Sequence, residues 1–210
     1  TFFDLDDRRR LPSRFHAATP ATASEYRGYE TPSWNVEKRD GPFELRLYQP
    51  YLAAEVTLRG NPDTALRKGF QTLAGFIFGE NEVRAKVAMT APVTRQAAKI
   101  DMTAPVTRER SGDAWTVRFM MPSEYTEATL PRPKNSNIQI VTVNPGRRAV
   151  HRFNGLASQT RLTSAEAKLR TWITMQGWDI LGAPDAAWFD DPFTLPWRRR
   201  NEVSLPVRLT

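Results

Sequence analysis

Residues 43–60 read FELRLYQPYLAAEVTLRG, and residues 138–155 read IQIVTVNPGRRAVHRFNG. At an offset of 95 residues, Pro50 falls on Pro145, Ala54 on Ala149 and Gly60 on Gly155. Few identities survive, but the turns and glycines coincide. Phe43-Glu44-Leu45-Arg46-Leu47-Tyr48 mostly alternates apolar and polar residues, the period of a half-buried strand. Gln49-Pro50 makes a turn. Ala54, Val56 and Leu58 then alternate with Glu55, Thr57 and Arg59, and Gly60 closes a second strand. The other half repeats this plan, with a strand at 138–143, a turn at Asn144-Pro145 and a strand at 148–153.

A helix follows in each half. Asn61-Pro62-Asp63 is a helix start, with Asn61 as N-cap and Pro62 in the first turn. Leu66, Phe70, Leu73 and Ile77 recur at helical spacing, and Gly79 stops the helix. In the second half Thr163-Ser164-Ala165-Glu166 fits a capping box, which predicts a helix beginning near Ser164. Leu169, Trp172 and Ile173 give it an apolar face, and Gly177 stands near its end. Strands are expected at 115–121 (WTVRFMM), 186–190 and 202–209, with a Pro-rich connection at 122–133. The fold class expected is therefore α+β. A duplicated strand-strand-helix-strand-strand unit, related by a pseudo-twofold, makes a distorted antiparallel β-barrel with two helices packed outside. A cleft is expected where a helix lies over the sheet.

A shorter repeat lies inside the first half. Residues 85–97 read AKVAMTAPVTRQA and residues 98–110 read AKIDMTAPVTRER. Two copies this short do not make a solenoid. Each reads as an extended run broken by Ala-Pro, since proline lacks a donor and sits at strand ends, edges or bulges. Nothing in either copy is a catalytic group. Met89 and Met102 read as core packing, with soft iron ligation as the alternative.

Composition narrows the function classes. The chain has 210 residues and no Cys, which excludes disulfides and thiolate metal sites. Its two His, His16 and His151, are too few for a multi-His metal site. No apolar run is long enough to span a bilayer. The chain starts on Thr1 rather than Met, as it would if a leader had been removed, so localisation stays open between periplasm and cytoplasm. The net charge of +7 invites a nucleic-acid reading. However, Arg8, Arg9 and Arg10 follow Asp4, Asp6 and Asp7, and Arg198 to Arg200 lie near Asp190, Asp191 and Glu202. No nucleic-acid partner is expected. Residues 1–28 show no apolar period and read as an extended arm, leaving 29–210 as the folded domain.

The motifs together resemble the SOUL haem-binding protein family. The resemblance rests on Phe43 to Tyr48 with Pro50, on Leu73-Ala74-Gly75-Phe76-Ile77-Phe78-Gly79, and on the KxxMTAPV segments at Lys86 and Lys99. WTVRFMMPSEY from Trp115 and Arg199-Arg200-Asn201-Glu202-Val203 complete it. It implies the duplicated barrel and reversible binding of haem or protoporphyrin, as carrier, buffer or scavenger. The family's groove lies between the first helix and a loop before the last strand. By that resemblance the candidate site residues are Arg67, Lys68, Phe70 and Ala74 on the helix, with Phe193, Pro196, Trp197, Arg198 and Arg199 on the loop. The aromatic and Pro residues are offered to a flat ring, and the cations to propionates. No metal ligand is assigned. His151 reads as a hydrogen-bonded core residue, with axial iron ligation as the alternative.

Two other function classes stand beside this one. A hydrolase-like enzyme would use a buried Glu202 as a base with a raised pKa, although no nucleophile-base pair is visible. A protein-interaction module would use the basic surface and the arm. Oligomeric state is not read from the sequence.

Overall fold

A computed structural model describes residues 24–83, 97–191 and 193–210. The first copy of the short repeat and most of the arm fall outside the described residues. The elements run β1 (Ser24–Tyr26), β2 (Tyr29–Thr31), β3 (Trp34–Asp40), β4 (Phe43–Tyr48), β5 (Tyr51–Arg59), α1 (Pro62–Ile77) and β6 (Asn81–Glu82). They continue with β7 (Val106–Ser111), β8 (Ala114–Met120), β9 (Arg132–Pro133), β10 (Gln139–Val143) and β11 (Gly146–Asn154). After α2 (Gln159–Gln176) come β12 (Asp179–Ile180), β13 (Asp185–Trp188), a 3₁₀ turn (Pro196–Arg198) and β14 (Arg200–Arg208).

The main sheet is antiparallel, in the order β10-β5-β8-β7-β13-β14-β11-β4-β3. It curls strongly into a half-barrel, and two helices pack on one of its faces. Its registers give the expected duplication residue by residue. Glu44 on β4 pairs with Val150 on β11, and Gln139 on β10 pairs with Glu55 on β5. Shifting either pair by 95 and exchanging partners gives the other. At the sheet's centre Arg108 on β7 pairs with Ala186 on β13. Arg108 also pairs with Val117, and Ala186 with Val203. The pseudo-dyad therefore passes beside the Arg108–Ala186 pair.

The first strand of each unit crosses to the other unit: β4 pairs with β11, and β10 with β5. The pairing of β7 with β13 joins the two copies into one continuous sheet, and the exchange interlocks them at both ends. Gly60 and Gly155 end the second strands at φ 106° and 101°, a left-handed conformation that a side chain disfavours.

Each helix covers one half of the sheet, including the strand contributed by the other unit. Leu73, Phe76 and Ile77 of α1 pack with Ala54, Val56, Val117 and Phe119. Leu162, Leu169, Trp172 and Ile173 of α2 pack with Leu45, Ala149, Val203 and Leu205. Asn61 caps α1 as expected, its side chain accepting from the amides of Asp63 and Thr64. The expected start of α2 near Ser164 is corrected: Ser158 is the cap, and its hydroxyl accepts from Arg161 N. The earlier start brings Leu162 into the core, a gain that the Thr163 capping box forgoes. Gly177 ends α2 at φ 74°, and its amide bonds back to Ile173 and Thr174.

Residues 24–28, placed with the arm by the sequence reading, form the β1–β2 hairpin. Tyr26 packs edge-on to Phe189, with centroids 5.5 Å apart. Arg27 pairs with the buried Asp190 at 2.8 Å.

Gly69 brings α1 unusually close to the sheet. A Cβ built there would stand 2.6 Å from Cγ2 and 2.7 Å from Cβ of Val117. Gly69→Ala is expected to lower stability by about 1–3 kcal/mol through overpacking. An unchanged urea midpoint would show that α1 can lift from β8 without loss.

Candidate functional site

The loop between β13 and β14 is fastened at its base. The Asp190 carboxylate accepts from Arg200 N at 2.6 Å and from the Tyr26 hydroxyl at 3.1 Å. Asp191 Oδ1 accepts from the amides of Phe193 and Thr194 at 2.7 and 2.9 Å. Arg199 Nε donates to the Thr194 carbonyl at 2.7 Å, and Arg27 Nη2 to the Arg198 carbonyl at 3.1 Å. Above this anchored base the apolar side chains face solvent. Phe193 is 95% exposed, Trp197 67% and Leu195 48%. Folding therefore gains little from them.

The helix side of the expected groove is built from α1. Arg67, Phe70 and Ala74 are spaced three and four residues apart and so share one helix face, with Lys68 beside it. Phe70 is partly exposed and lies edge-on to Phe119, with centroids 5.3 Å apart. Phe119 pairs with Val106, and Val106 with Trp188, the last strand residue before the loop. Two strand spacings, roughly 10 Å, thus separate the strand under Phe70 from the strand that leads into the loop. Arg67, Lys68 and Arg198 are exposed and form no ion pair among the described residues. Phe119 and Trp188 fall in strands expected from the sequence and Val106 in the second copy of the short repeat, and none of the three is a site candidate by sequence.

His151 is buried on β11 beneath α2. Its Nδ1 donates to the Ala165 carbonyl at 3.1 Å, and its ring stacks on Phe43 at 4.7 Å. Burial holds its pKa below the ordinary value.

The opposite face of the sheet carries ions. Glu202, the base considered for an enzyme, is buried but doubly paired. Arg46 donates to both its oxygens at 2.8 and 2.9 Å, and Arg200 Nη2 lies 2.6 Å from Oε1. Burial opposes its ionisation, yet the two guanidiniums hold its carboxyl below the usual range. The raised pKa that a general base would need is therefore corrected. Beside it Arg148 holds Asp185 at 2.7 Å, and Arg118 bridges Glu55 and Glu109 at 2.5 and 2.7 Å.

The family model of the SOUL heme-binding protein matches residues 29–206. The chain belongs to the SOUL haem-binding protein family. Heme-binding protein 2 of Mus musculus is 30% identical to this SOUL chain over 143 residues, covering 66% of each. Heme-binding protein 2 of Homo sapiens is 31% identical over 134 residues, 61% of this chain and 62% of its own. The SOUL chain thus spans just under two thirds of the length of these two relatives. Heme-binding protein 1 of Xenopus laevis is 31% identical over 173 residues, 80% of this chain and 84% of its own.

Solved structures share the SOUL chain's fold at much lower identity. The EcmrR C-terminal domain superposes with a TM-score of 0.59 at 11% identity, covering 80% of this chain and 98% of that one. A hydrolase from Listeria innocua superposes with a TM-score of 0.57 at 15% identity, covering 79% and 91%. At these identities the likeness is one of fold.

Proposed function

We propose that this chain binds haem or a related tetrapyrrole between α1 and the loop at residues 190–200, as a carrier, buffer or scavenger. The observation that carries the reading is the pair of exposed rings, Phe193 and Trp197, held out by a loop whose base is fully bonded. A flat macrocycle covers such rings from water at roughly 25 cal/mol per Å² of apolar surface. Arg67, Lys68 and Arg198 stand at the rim as partners for propionates, and Arg199 lies half-buried beside them. Family membership and the heme-binding names of the relatives support the same ligand class.

The reading assigns no axial His, because the groove residues include none. Iron is then not required for binding. Haemin and iron-free protoporphyrin, titrated separately and followed by absorbance, are both expected to saturate in the micromolar range, about −8 kcal/mol. A chain that saturates with neither ligand would overturn the proposal. Saturation with haemin alone would overturn the absence of an iron ligand.

A further inference from the structure

The sheet face that turns away from the helices carries a cavity of about 310 Å³. Trp34, Tyr48, Tyr51 and Phe189 wall it, and Asp185 and Ala187 lie on its floor. We propose that this cavity is a second ligand site, for an uncharged flat aromatic compound of two or three rings that carries one N–H or O–H donor. Size, wall chemistry and charge each narrow the ligand.

The volume is at the small end of ligand cavities, which run roughly 300–1,000 Å³. Four aromatic side chains suit a flat partner, since ring pairs favour offset or edge-on contact. Every charged group lining the cavity is already matched within the protein. Arg147 is held bidentately by Glu37 at 2.7 and 2.9 Å, Arg148 by Asp185, Arg118 by Glu55 and Glu109, and Glu202 by Arg46. A charged ligand would have to break one of these pairs or lose its hydration without a counter-ion, and both are unfavourable. One acceptor is left over. Asp185 Oδ1 makes no hydrogen bond among the described residues and stands 4.0 Å from Arg118 Nη1. Its carboxyl is raised above the ordinary range, mainly by burial. A ligand N–H or O–H would satisfy it.

N-phenyl-1-naphthylamine is an uncharged probe of this class whose emission rises in apolar surroundings. Its fluorescence should rise and saturate with one site per chain. Ala187→Phe, which fills the floor, should weaken that binding about tenfold or more, while haemin affinity stays within about twofold. Trp197→Ala should leave probe binding unchanged. The sulfonated analogue 8-anilinonaphthalene-1-sulfonate, with the same rings and a charge, should bind about tenfold more weakly than the neutral probe. If Ala187→Phe does not fold by circular dichroism, Tyr51→Ala takes its place with the same expected loss. The proposal is overturned if the neutral probe does not bind, or if the folded cavity variant binds it as wild type does. It is equally overturned by equal binding of the sulfonate, or by displacement of the probe by haemin.

Discussion

Arg46→Met is expected to lower stability by about 3–5 kcal/mol, the usual cost of removing one partner from a buried ion pair. Arg46 is 1% exposed. Its Nε donates to Glu44 at 2.6 Å, its Nη atoms to both oxygens of Glu202, and Nη1 also to the Tyr48 hydroxyl at 3.1 Å. The guanidinium lies over the Trp34 ring, 4.5 Å from its centroid. Met fills much of the stem's volume but leaves Glu202, itself 3% exposed, with Arg200 as its remaining ion-pair partner among the described residues. That partner places the expected loss at the lower end of the range. Adding Glu202→Gln should cost less than the same change made in the wild-type chain, because the Arg46–Glu202 pair is already lost. Urea unfolding of the two single variants and the double variant measures the coupling. A loss below about 1 kcal/mol for Arg46→Met would mean that the network contributes little to holding β4, β11 and β14 together.

The double change Trp197→Ala with Arg198→Ala is expected to weaken haemin and protoporphyrin alike, on the order of a hundredfold. Removing the indole forfeits ring contact worth about 1–2 kcal/mol at roughly 25 cal/mol per Å². Removing the guanidinium forfeits a charge-assisted bond of roughly 1.5–3 kcal/mol. Both side chains are exposed, so the fold should survive the change. Paired absorbance titrations give the two ratios. Unequal ratios would assign part of the binding to iron, and unchanged affinities would place the ligand elsewhere.

The duplication is written into the turns. Pro50 and Pro145, and Gly60 and Gly155, occupy positions where the backbone must turn or adopt positive φ, and such positions tolerate few residue types. The exchange of first strands is not written there. Alternation in residues 43–48 tells which side chains share a face, but β4 would show the same pattern beside β5 or β11. Two caps competed for the start of α2, and tertiary burial of Leu162 decided for Ser158. The loop residues Phe193 and Trp197 were candidates through the resemblance to the SOUL family, and their exposure is seen only in the fold. Glu202 was singled out by itself, but its pairing with Arg46 was not legible, since 156 residues separate them and their strands meet only on either side of β11.

The most direct test of the binding face is a map of paramagnetic broadening. Haemin iron broadens amide signals of nearby residues, so the isotope-labelled chain reports where the ring lies at substoichiometric haemin. The amides of Phe70, Ala74 and residues 194–199, together with the Trp197 indole N–H, should broaden first. The signals of His151, Ala165, Trp34 and Ala187 should persist. Broadening centred on His151 and Ala165, or on Trp34 and Ala187, would contradict the proposed groove.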